Sequence, residues 1–243
     1  MVDEMDLSEE RKWLYEERAR MVIANLKKKN INAQYVSSRE EALSVVLGMI
    51  PEGATVARGD SVSLDQVGVI PELRKRNQNK IIDPFKRDAD GFWVAETEDR
   101  RLQREEHWMQ QREALLSDVF LTGTNAVTLD GKLVNIDGRG NRVSAMIFGP
   151  KKVIIVAGVN KIVKDVNEAL ERIHEVAAPI NAKRHYLKHH RPEFGDLPCV
   201  RTGSCVDCNH DWRICRYTVV IEGTIPWDTG RINVVLIGEE LGI

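Results

Sequence analysis

The stretch Lys152–Gly158, KVIIVAG, is a continuous apolar run rich in β-branched residues. Such a run predicts a strand buried on both faces, as the inner strands of a parallel sheet are. A shorter apolar run, VFLT at residues 119–122, predicts a second buried strand. The run ATVARGDS at residues 54–61 predicts a third strand, which leads into a turn.

Helical patterns separate these strands. Ser63 can cap a helix through about residue 75, and KIID at residues 80–83 predicts the next strand, which completes a β-α-β unit. After a loop over residues 84–96, an apolar stripe predicts a helix over 98–116. The alternation favours an α/β fold around a mostly parallel sheet.

The rest of the chain carries shorter signals. The pair Asp130–Gly131 lies between two apolar runs and predicts a β-hairpin. Asn160 is predicted to cap a helix over 161–176, and Pro179 to open another through about 190. Strands over 217–222 and 232–238 close the chain.

Two helices are predicted before the first strand, over residues 7–29 and 39–50. We expect these N-terminal helices, within residues 1–50, to pack on one face of the sheet. No composition shift marks a boundary, so we predict one domain over residues 1–243, with a cysteine-rich insertion at 196–216.

Composition excludes several classes of protein. The chain has 243 residues, 42% apolar content and a formal net charge of -2, which are ordinary values for a globular domain. It shows neither the basic excess of a nucleic-acid-binding protein nor an apolar run that predicts membrane insertion. The start of the sequence lacks the pattern of a signal peptide, so we expect a cytoplasmic protein.

All the cysteines lie in one short segment, with the spacing C-x5-C-x2-C-x6-C. They are Cys199, Cys205, Cys208 and Cys215. Clustered thiolates around a C-x-x-C pair predict a metal site, and a reducing cytosol favours metal over disulfides. Structural zinc sites usually use two C-x-x-C pairs, so the single pair here favours a 4Fe–4S cluster, with zinc as the alternative.

The number of cysteine ligands is left open. Four thiolate ligands would close the cluster and make electron transfer its simpler role. If Cys199 does not bind, one iron would be open to substrate and able to act as a Lewis acid.

Small and polar residues follow several predicted strands, where a substrate crevice is expected. The candidates are Gly59, Asp60, Ser61, Gly123, Thr124, Asn125, Asn141 and Arg142. Arg142 can bind a carboxylate or phosphate through its guanidinium fork, and glycines allow close approach of a ligand. The alternative is structural: helix caps, tight turns and an internal ion pair. The basic segment that contains Arg184, His185 and His189 predicts a solvated helix face.

The stretch TGTNAVTLDGKLVNIDGRGNRVSAMIFGPKKVIIVAGVNKIV, residues 122–163, resembles the LUD-domain (lactate utilisation) family. The segment TGSCVDCNHDWRIC, residues 202–215, resembles a signature of the four-cysteine branch of that family. The family is related in fold to ribose-5-phosphate isomerase, glucosamine-phosphate deaminase and CoA-transferases. The resemblance therefore implies an open Rossmann-like sheet whose site lies at the carboxyl ends of the strands.

Some members of the family take part in oxidising lactate to pyruvate within iron–sulfur enzyme complexes. The resemblance therefore implies an iron–sulfur protein that acts on, or takes electrons from, a small anionic metabolite such as a 2-hydroxy or 2-oxo acid. An electron-transfer partner subunit and a homo-oligomer are compatible with this role. One alternative is a non-redox isomerase or transferase with structural zinc. Another is a non-catalytic metal-binding assembly or sensor protein.

Overall fold

The structure, a computed structural model, describes residues 4–94 and 99–243. The strands are β1 (Asn32–Val36), β2 (Thr55–Arg58), β3 (Lys80–Ile82), β4 (Val119–Gly123), β5 (Ala126–Thr128), β6 (Leu133–Asp137), β7 (Lys152–Gly158), β8 (Ile162–Val163), β9 (Tyr217–Ile221) and β10 (Ile232–Ile237). The helices are α1 (Ser8–Lys28), α2 (Arg39–Gly48), α3 (Val62–Val67), α4 (Val69–Arg76), α5 (Arg100–Glu113), α6 (Asn141–Ile147), α7 (Val166–Arg172), α8 (Ala178–Lys188) and α9 (Pro198–Thr202).

The main sheet is parallel throughout, in the order β1-β10-β7-β4-β2-β3. The KVIIVAG run forms β7, between β10 and β4. Its alternate side chains enter two apolar clusters, with Val153 and Ile155 on one face and Ile154 and Val156 on the other. Burial on both faces explains why this strand is apolar along its whole length. The predicted α/β fold with a mostly parallel sheet is confirmed.

The N-terminal helices lie on opposite faces of the main sheet. Val22 and Leu26 of α1 enter the cluster that contains Val153, whereas Val46 of α2 enters the cluster that contains Ile154. The expectation that both helices pack on one face is therefore wrong. Strand β1 lies between them in the chain and pairs with β10 at the sheet edge, so the chain changes face there. β1 was not predicted, because its short, partly polar sequence NAQYV lacks the apolar run that indicates a buried strand.

A second sheet, in the order β8-β5-β6-β9, packs beside the main one. The hairpin predicted at Asp130–Gly131 is confirmed, because β5 and β6 pair antiparallel around it. Gly131 has φ +80°, and a Cβ there would lie 2.8 Å from the backbone of Asn25 and Leu26. The hairpin tip thus fits against α1 only with glycine at this position.

Two helix boundaries differ from the prediction. The helix expected over 63–75 is divided at Gly68, which has φ +79° and separates α3 from α4. The helix expected to start at Lys161 starts at Val166, and Asp165 rather than Asn160 caps it. Lys161 instead ends a 3-10 turn, because the β-branched residues after it form β8 and pair with β5.

Residues 84–94 form an irregular segment, in agreement with the predicted loop. Within it, Arg87 and Trp93 form an isolated β-bridge. Residues 95–98, which include the predicted helix start, lie outside the described residues. α7 continues into α8 through a π-helical turn, Ile173–Ala177. Across residues 4–94 and 99–243, no helix has the length and apolar character needed to span a membrane.

Candidate anion-binding crevice and cysteine cluster

The candidate site lies at the carboxyl ends of β2 and β4, neighbouring strands of the main sheet, and is called the crevice below. After β2 the chain enters α3, whose Leu64 packs on one face of the sheet. After β4 it continues through the second sheet to α6, whose Met146 packs on the other face. Chain paths that diverge in this way open a crevice at the sheet edge, where α/β proteins bind ligands.

Two predicted glycines let the two strand ends approach each other. A Cβ at Gly59 would lie 3.1 Å from both Arg142 Cγ and Thr122 Oγ1. A Cβ at Gly123 would lie 2.7 Å from Ser61 Oγ. Ser61 also caps α3, because its Oγ accepts a hydrogen bond from Leu64 N at 3.3 Å. Tight packing, rather than backbone conformation, requires glycine at these two positions.

Arg142 is buried at the centre of this region, with a side chain 12% exposed. It donates to Asn135 Oδ1 at 2.7 Å, to Asn125 Oδ1 at 3.0 Å and to the Gly123 and Ile136 carbonyls. Its Nε lies 3.7 Å from Asp137 Oδ2. The guanidinium group that was predicted to bind a ligand therefore donates its hydrogen bonds to protein acceptors. A ligand would be attracted by its positive charge and would not be bound by free N–H groups.

Thr124 and Asn125 brace the same junction. Thr124 Oγ1 donates to Asn135 Oδ1 at 3.2 Å, and Asn125 Oδ1 accepts from Ile136 N at 3.0 Å. Asn135, which the sequence analysis did not single out, is fully buried, and its Nδ2 has no hydrogen-bond partner within the described part of the chain. Asn141, another predicted residue, is half-buried at the first position of α6.

Asp60 lies where it was predicted, but its carboxylate is paired. It forms an ion pair with Arg184 of α8, and His185 Nε2 lies 3.8 Å from its Oδ2. Burial raises the pKa of Asp60, but Arg184, His185 and Arg58 outweigh burial, so the carboxylate stays ionised. The solvated face predicted for this part of α8 is wrong, because the Arg184 and His185 side chains are 15% and 20% exposed.

His185 and His189 extend this contact along α8. Their Nδ1 atoms are 2.8 Å apart, which requires one ring to donate to the other. Burial lowers the pKa of His185 to about 4, and burial and Arg87 lower the pKa of His189. Both rings are therefore neutral at pH 7.

Two more cations lie beside Arg142, and the sequence analysis missed both. Lys161 follows β7 and is 5% exposed, and its Nζ donates to Ser63 Oγ at 2.8 Å. Arg172 ends α7 and donates to the Asn125 carbonyl at 2.7 Å and to the Asn160 carbonyl at 3.2 Å. A lysine between Asn160 and the apolar pair Ile162–Val163, directly after a buried strand, is the signal that could have identified this position.

The positive charge of these three residues is not balanced. Asp137 and Asp60 both act on Arg142, and Asp60 is already paired with Arg184, whereas Lys161 and Arg172 form no ion pair with any carboxylate in the described ranges. Burial, followed by Arg172 and Arg142, lowers the pKa of Lys161 to about 7. Buried charges in proteins are normally paired, so this imbalance is what an anion-binding site requires.

The four cysteines are half-buried free thiols. Burial, and then the charges of Cys208, Cys215 and Cys205, raise the pKa of Cys199, so these three thiols lie within electrostatic range of Cys199. Cys205 Sγ accepts a hydrogen bond from Asp207 N at 3.4 Å and lies 3.7 Å from His174 Nδ1. As placed in the described residues, no three His, Cys, Asp or Glu side chains could hold a metal ion.

Packed side chains connect the cysteine segment with the residues of the crevice. Phe194 has its ring centroid 5.4 Å from that of His185, and it packs in the same small apolar cluster as Cys199. Cys215 packs against the apolar cluster that contains Ile173, the residue after Arg172. The two candidate sites are therefore neighbours.

Comparison with known proteins identifies what the chain is similar to. The family model described as LUD domain matches residues 19–237. A crystal structure of a DUF162 family protein from Deinococcus radiodurans is similar, with TM-score 0.50 and 14% identity, and the match covers 92% of this chain and 98% of that one. An eIF2B beta structure from Chaetomium thermophilum matches with TM-score 0.34 and 12% identity, over 54% of this chain and 44% of that one. Among the curated proteins, none matches the sequence.

Proposed function

Because the chain belongs to the LUD-domain family, we propose that it is an iron–sulfur member that binds a small anionic metabolite in the crevice. The metabolite would be a 2-hydroxy or 2-oxo acid, as in lactate utilisation. The observation that carries the proposal is the group of three basic side chains, the buried Lys161, the largely buried Arg142 and the half-buried Arg172. The carboxylates near them are Asp137 and Asp60, which both act on Arg142, and Asp60 is already paired with Arg184.

The crevice suits a carboxylate of small size. Lys161 donates only one hydrogen bond to a described residue, and Arg172 has Nη2 hydrogens without a described acceptor. These groups can bind a carboxylate by charge-assisted hydrogen bonds, which are stronger than neutral ones. Arg142 contributes its charge and fixes the strand ends.

Calorimetry with pyruvate, lactate and propane-1,2-diol tests this binding. We expect the two acids to bind and the neutral diol not to bind, because the diol lacks the carboxylate. Loss of a hydrogen bond to a charged group costs about 1.5–3 kcal/mol, so Arg172→Gln should weaken acid binding by roughly tenfold to a hundredfold.

Arg231→Gln is the matched control, because Arg231 also donates to backbone carbonyls, those of Met146 and Ile147, at the opposite end of the sheet. It should bind the acids as the wild-type protein does. Equal affinity for the diol and the acids, or for wild-type protein and Arg172→Gln, would refute the proposed crevice.

The second part of the proposal is that Cys199, Cys205, Cys208 and Cys215 hold a 4Fe–4S cluster. The residue types suit a cluster, because four free thiols lie in one segment near the Arg213 side chain, whose pKa is raised by Cys215 and Cys208 although burial lowers it. As placed in the described residues, the thiols would have to draw together to bind it. The N–H group of Asp207 already donates to Cys205 Sγ, as hydrogen bonds to cluster sulfurs do. When bound, the cluster would supply one-electron transfer to a partner subunit.

The cluster is tested by measuring the iron, zinc and acid-labile sulfide content of protein purified without oxygen. About four irons and four sulfides per chain are expected for wild-type protein. Cys208→Ser should lose most of the iron. Ser204→Ala, an exposed change in the same segment, should keep it. About one zinc per chain without sulfide would instead indicate a structural zinc site.

A further inference from the structure

The amine of Lys161 has properties that simple anion binding does not require. It lies at the end of the turn after β7, 5% exposed, and its Nζ donates to Ser63 Oγ at 2.8 Å. Arg172 of α7 and Arg142 of α6 are the charged groups that face it, and both are cationic. A permanent cation such as arginine would serve better if charge alone were needed at this position.

The two guanidinium groups change the chemistry of this amine. Burial is the main reason for its lowered pKa, and Arg172 and Arg142 add to the effect, so that Lys161 titrates at about 7. About half of it is then neutral at pH 7, against roughly one surface lysine in a few thousand. A neutral amine beside other cations is the state in which lysine acts as a nucleophile.

The C-terminal backbone packs closely over the amine. Gly242 has φ +74°, and a Cβ on it would lie 2.9 Å from Nζ and 2.2 Å from Ser63 Oγ, so only glycine allows this approach. A substrate would therefore reach the amine by displacing the turn at Gly242. The Ser63 hydroxyl, in contact with Nζ, can pass a proton to or from it.

We propose that Lys161 is a nucleophile that forms an imine with the ketone carbon of a 2-oxo acid held in the crevice. This inference rests on the proposed function and names the substrate class more narrowly. The nitrogen lone pair attacks the ketone carbon and forms a C–N bond, while the C=O π electrons move to oxygen. The two amine protons then move to that oxygen, with Ser63 as relay, and it departs as water.

The resulting imine carries the substrate carboxylate beside Arg172. Arg172 has guanidinium hydrogens without an acceptor among the described residues and can bind this carboxylate. The imine formed in this way is neutral, and it becomes an iminium ion when it takes up a proton from water through Ser63. The iminium ion withdraws electrons from the neighbouring carbon, so it makes the adjacent C–H bond more acidic. The arrangement therefore selects a 2-oxo acid over a 2-hydroxy acid for covalent capture, because only the ketone can form the imine.

Reductive trapping with pyruvate and sodium cyanoborohydride tests the proposal. Reduction fixes the imine as a secondary amine, which adds the mass of pyruvate less water plus two hydrogens. Peptide mapping should locate the adduct on Lys161. At pH 7 its trapping rate should exceed that of surface lysines by up to about a thousandfold, in line with the fraction of neutral amine.

Lys161→Met should lose the adduct, and Lys164→Met, a change of an exposed lysine nearby, should keep it. Mapping of the wild-type adduct is decisive even if a variant folds poorly. Pyruvate binding without an adduct on Lys161 would overturn this inference and leave the proposed function standing. Absence of both pyruvate binding and the adduct would overturn both.

Discussion

Asp60 and Arg142 lie in the predicted region, but their side chains bind protein groups instead of being free to bind a substrate. Asp60 lies there because it follows β2 of the parallel sheet. Arg142 reaches the same place from α6, which follows β6 of the second sheet. Their partners could not be predicted. Arg184 comes from a helix more than a hundred residues away, and Asn135 from a strand of the second sheet.

From the sequence, Lys161 was predicted at the start of a helix capped by Asn160, and it was therefore not singled out. Tertiary pairing of Ile162 with Val127 decided otherwise. Its burial, and therefore its pKa, depends on that turn and on the approach of two distant arginines.

Lys161→Met should stabilise the protein at pH 6. The folded state must hold a charged buried amine below its pKa of about 7, whereas the unfolded state has the ordinary value of 10.5. The cost is therefore full below pH 7 and disappears as the pH rises towards 10.5. We expect a gain on the order of 3 kcal/mol at pH 6 and little at pH 10, measured by urea unfolding.

The exposed lysine at position 164 provides the control for that comparison. Lys164→Met should change the free energy of unfolding little at either pH. A gain for Lys161→Met that is equal at pH 6 and pH 10 would show that Lys161 is not destabilised by burial.

Asp60→Asn should destabilise the fold by about 3 kcal/mol, because removal of one partner leaves a largely buried charge unpaired. Arg184 already has an Nε without a hydrogen-bond partner within the described part of the chain. Asp196→Asn is the control, since it breaks an exposed pair with Arg201 and should cost less than about 1 kcal/mol. Equal losses in thermal unfolding would contradict the assignment of Asp60 as a buried partner.

At the scale of elements, the strands were the most predictable part. β7 and the β5–β6 hairpin follow from a continuous apolar run and from the Asp130–Gly131 turn. β1 was not predicted, because an edge strand with polar residues lacks a continuous apolar run. One predicted helix is divided because Gly68 adopts the left-handed conformation. The apolar pattern continues on both sides of Gly68, so it did not predict this division.

The cap of α7 offers a test at this scale. Asp165 accepts hydrogen bonds from Asn167 N at 2.9 Å and Glu168 N at 3.0 Å. Asp165→Ala should cost about 1 kcal/mol, whereas Asp165→Asn should cost less because asparagine also caps helices well. Thermal unfolding of both variants checks this, and an equal loss for the two would argue against capping.

At the scale of the molecule, the LUD fold places the crevice and the cysteines next to each other, with Phe194 between His185 and the apolar cluster of Cys199. The cysteine spacing predicted a metal site from sequence alone, whereas its nearness to the crevice depends on the packing of α8 against α9. That nearness is the reason for treating metabolite binding and electron transfer as one function.

The most direct test of this account is electron paramagnetic resonance of the anaerobically purified, dithionite-reduced protein, recorded with and without saturating pyruvate. We predict the signal of a reduced 4Fe–4S cluster whose shape changes when pyruvate binds, because Phe194 contacts His185 and belongs to the apolar cluster against which Cys199 packs. Protein that contains zinc and no iron, or a cluster signal that bound pyruvate leaves unaltered, would contradict the account.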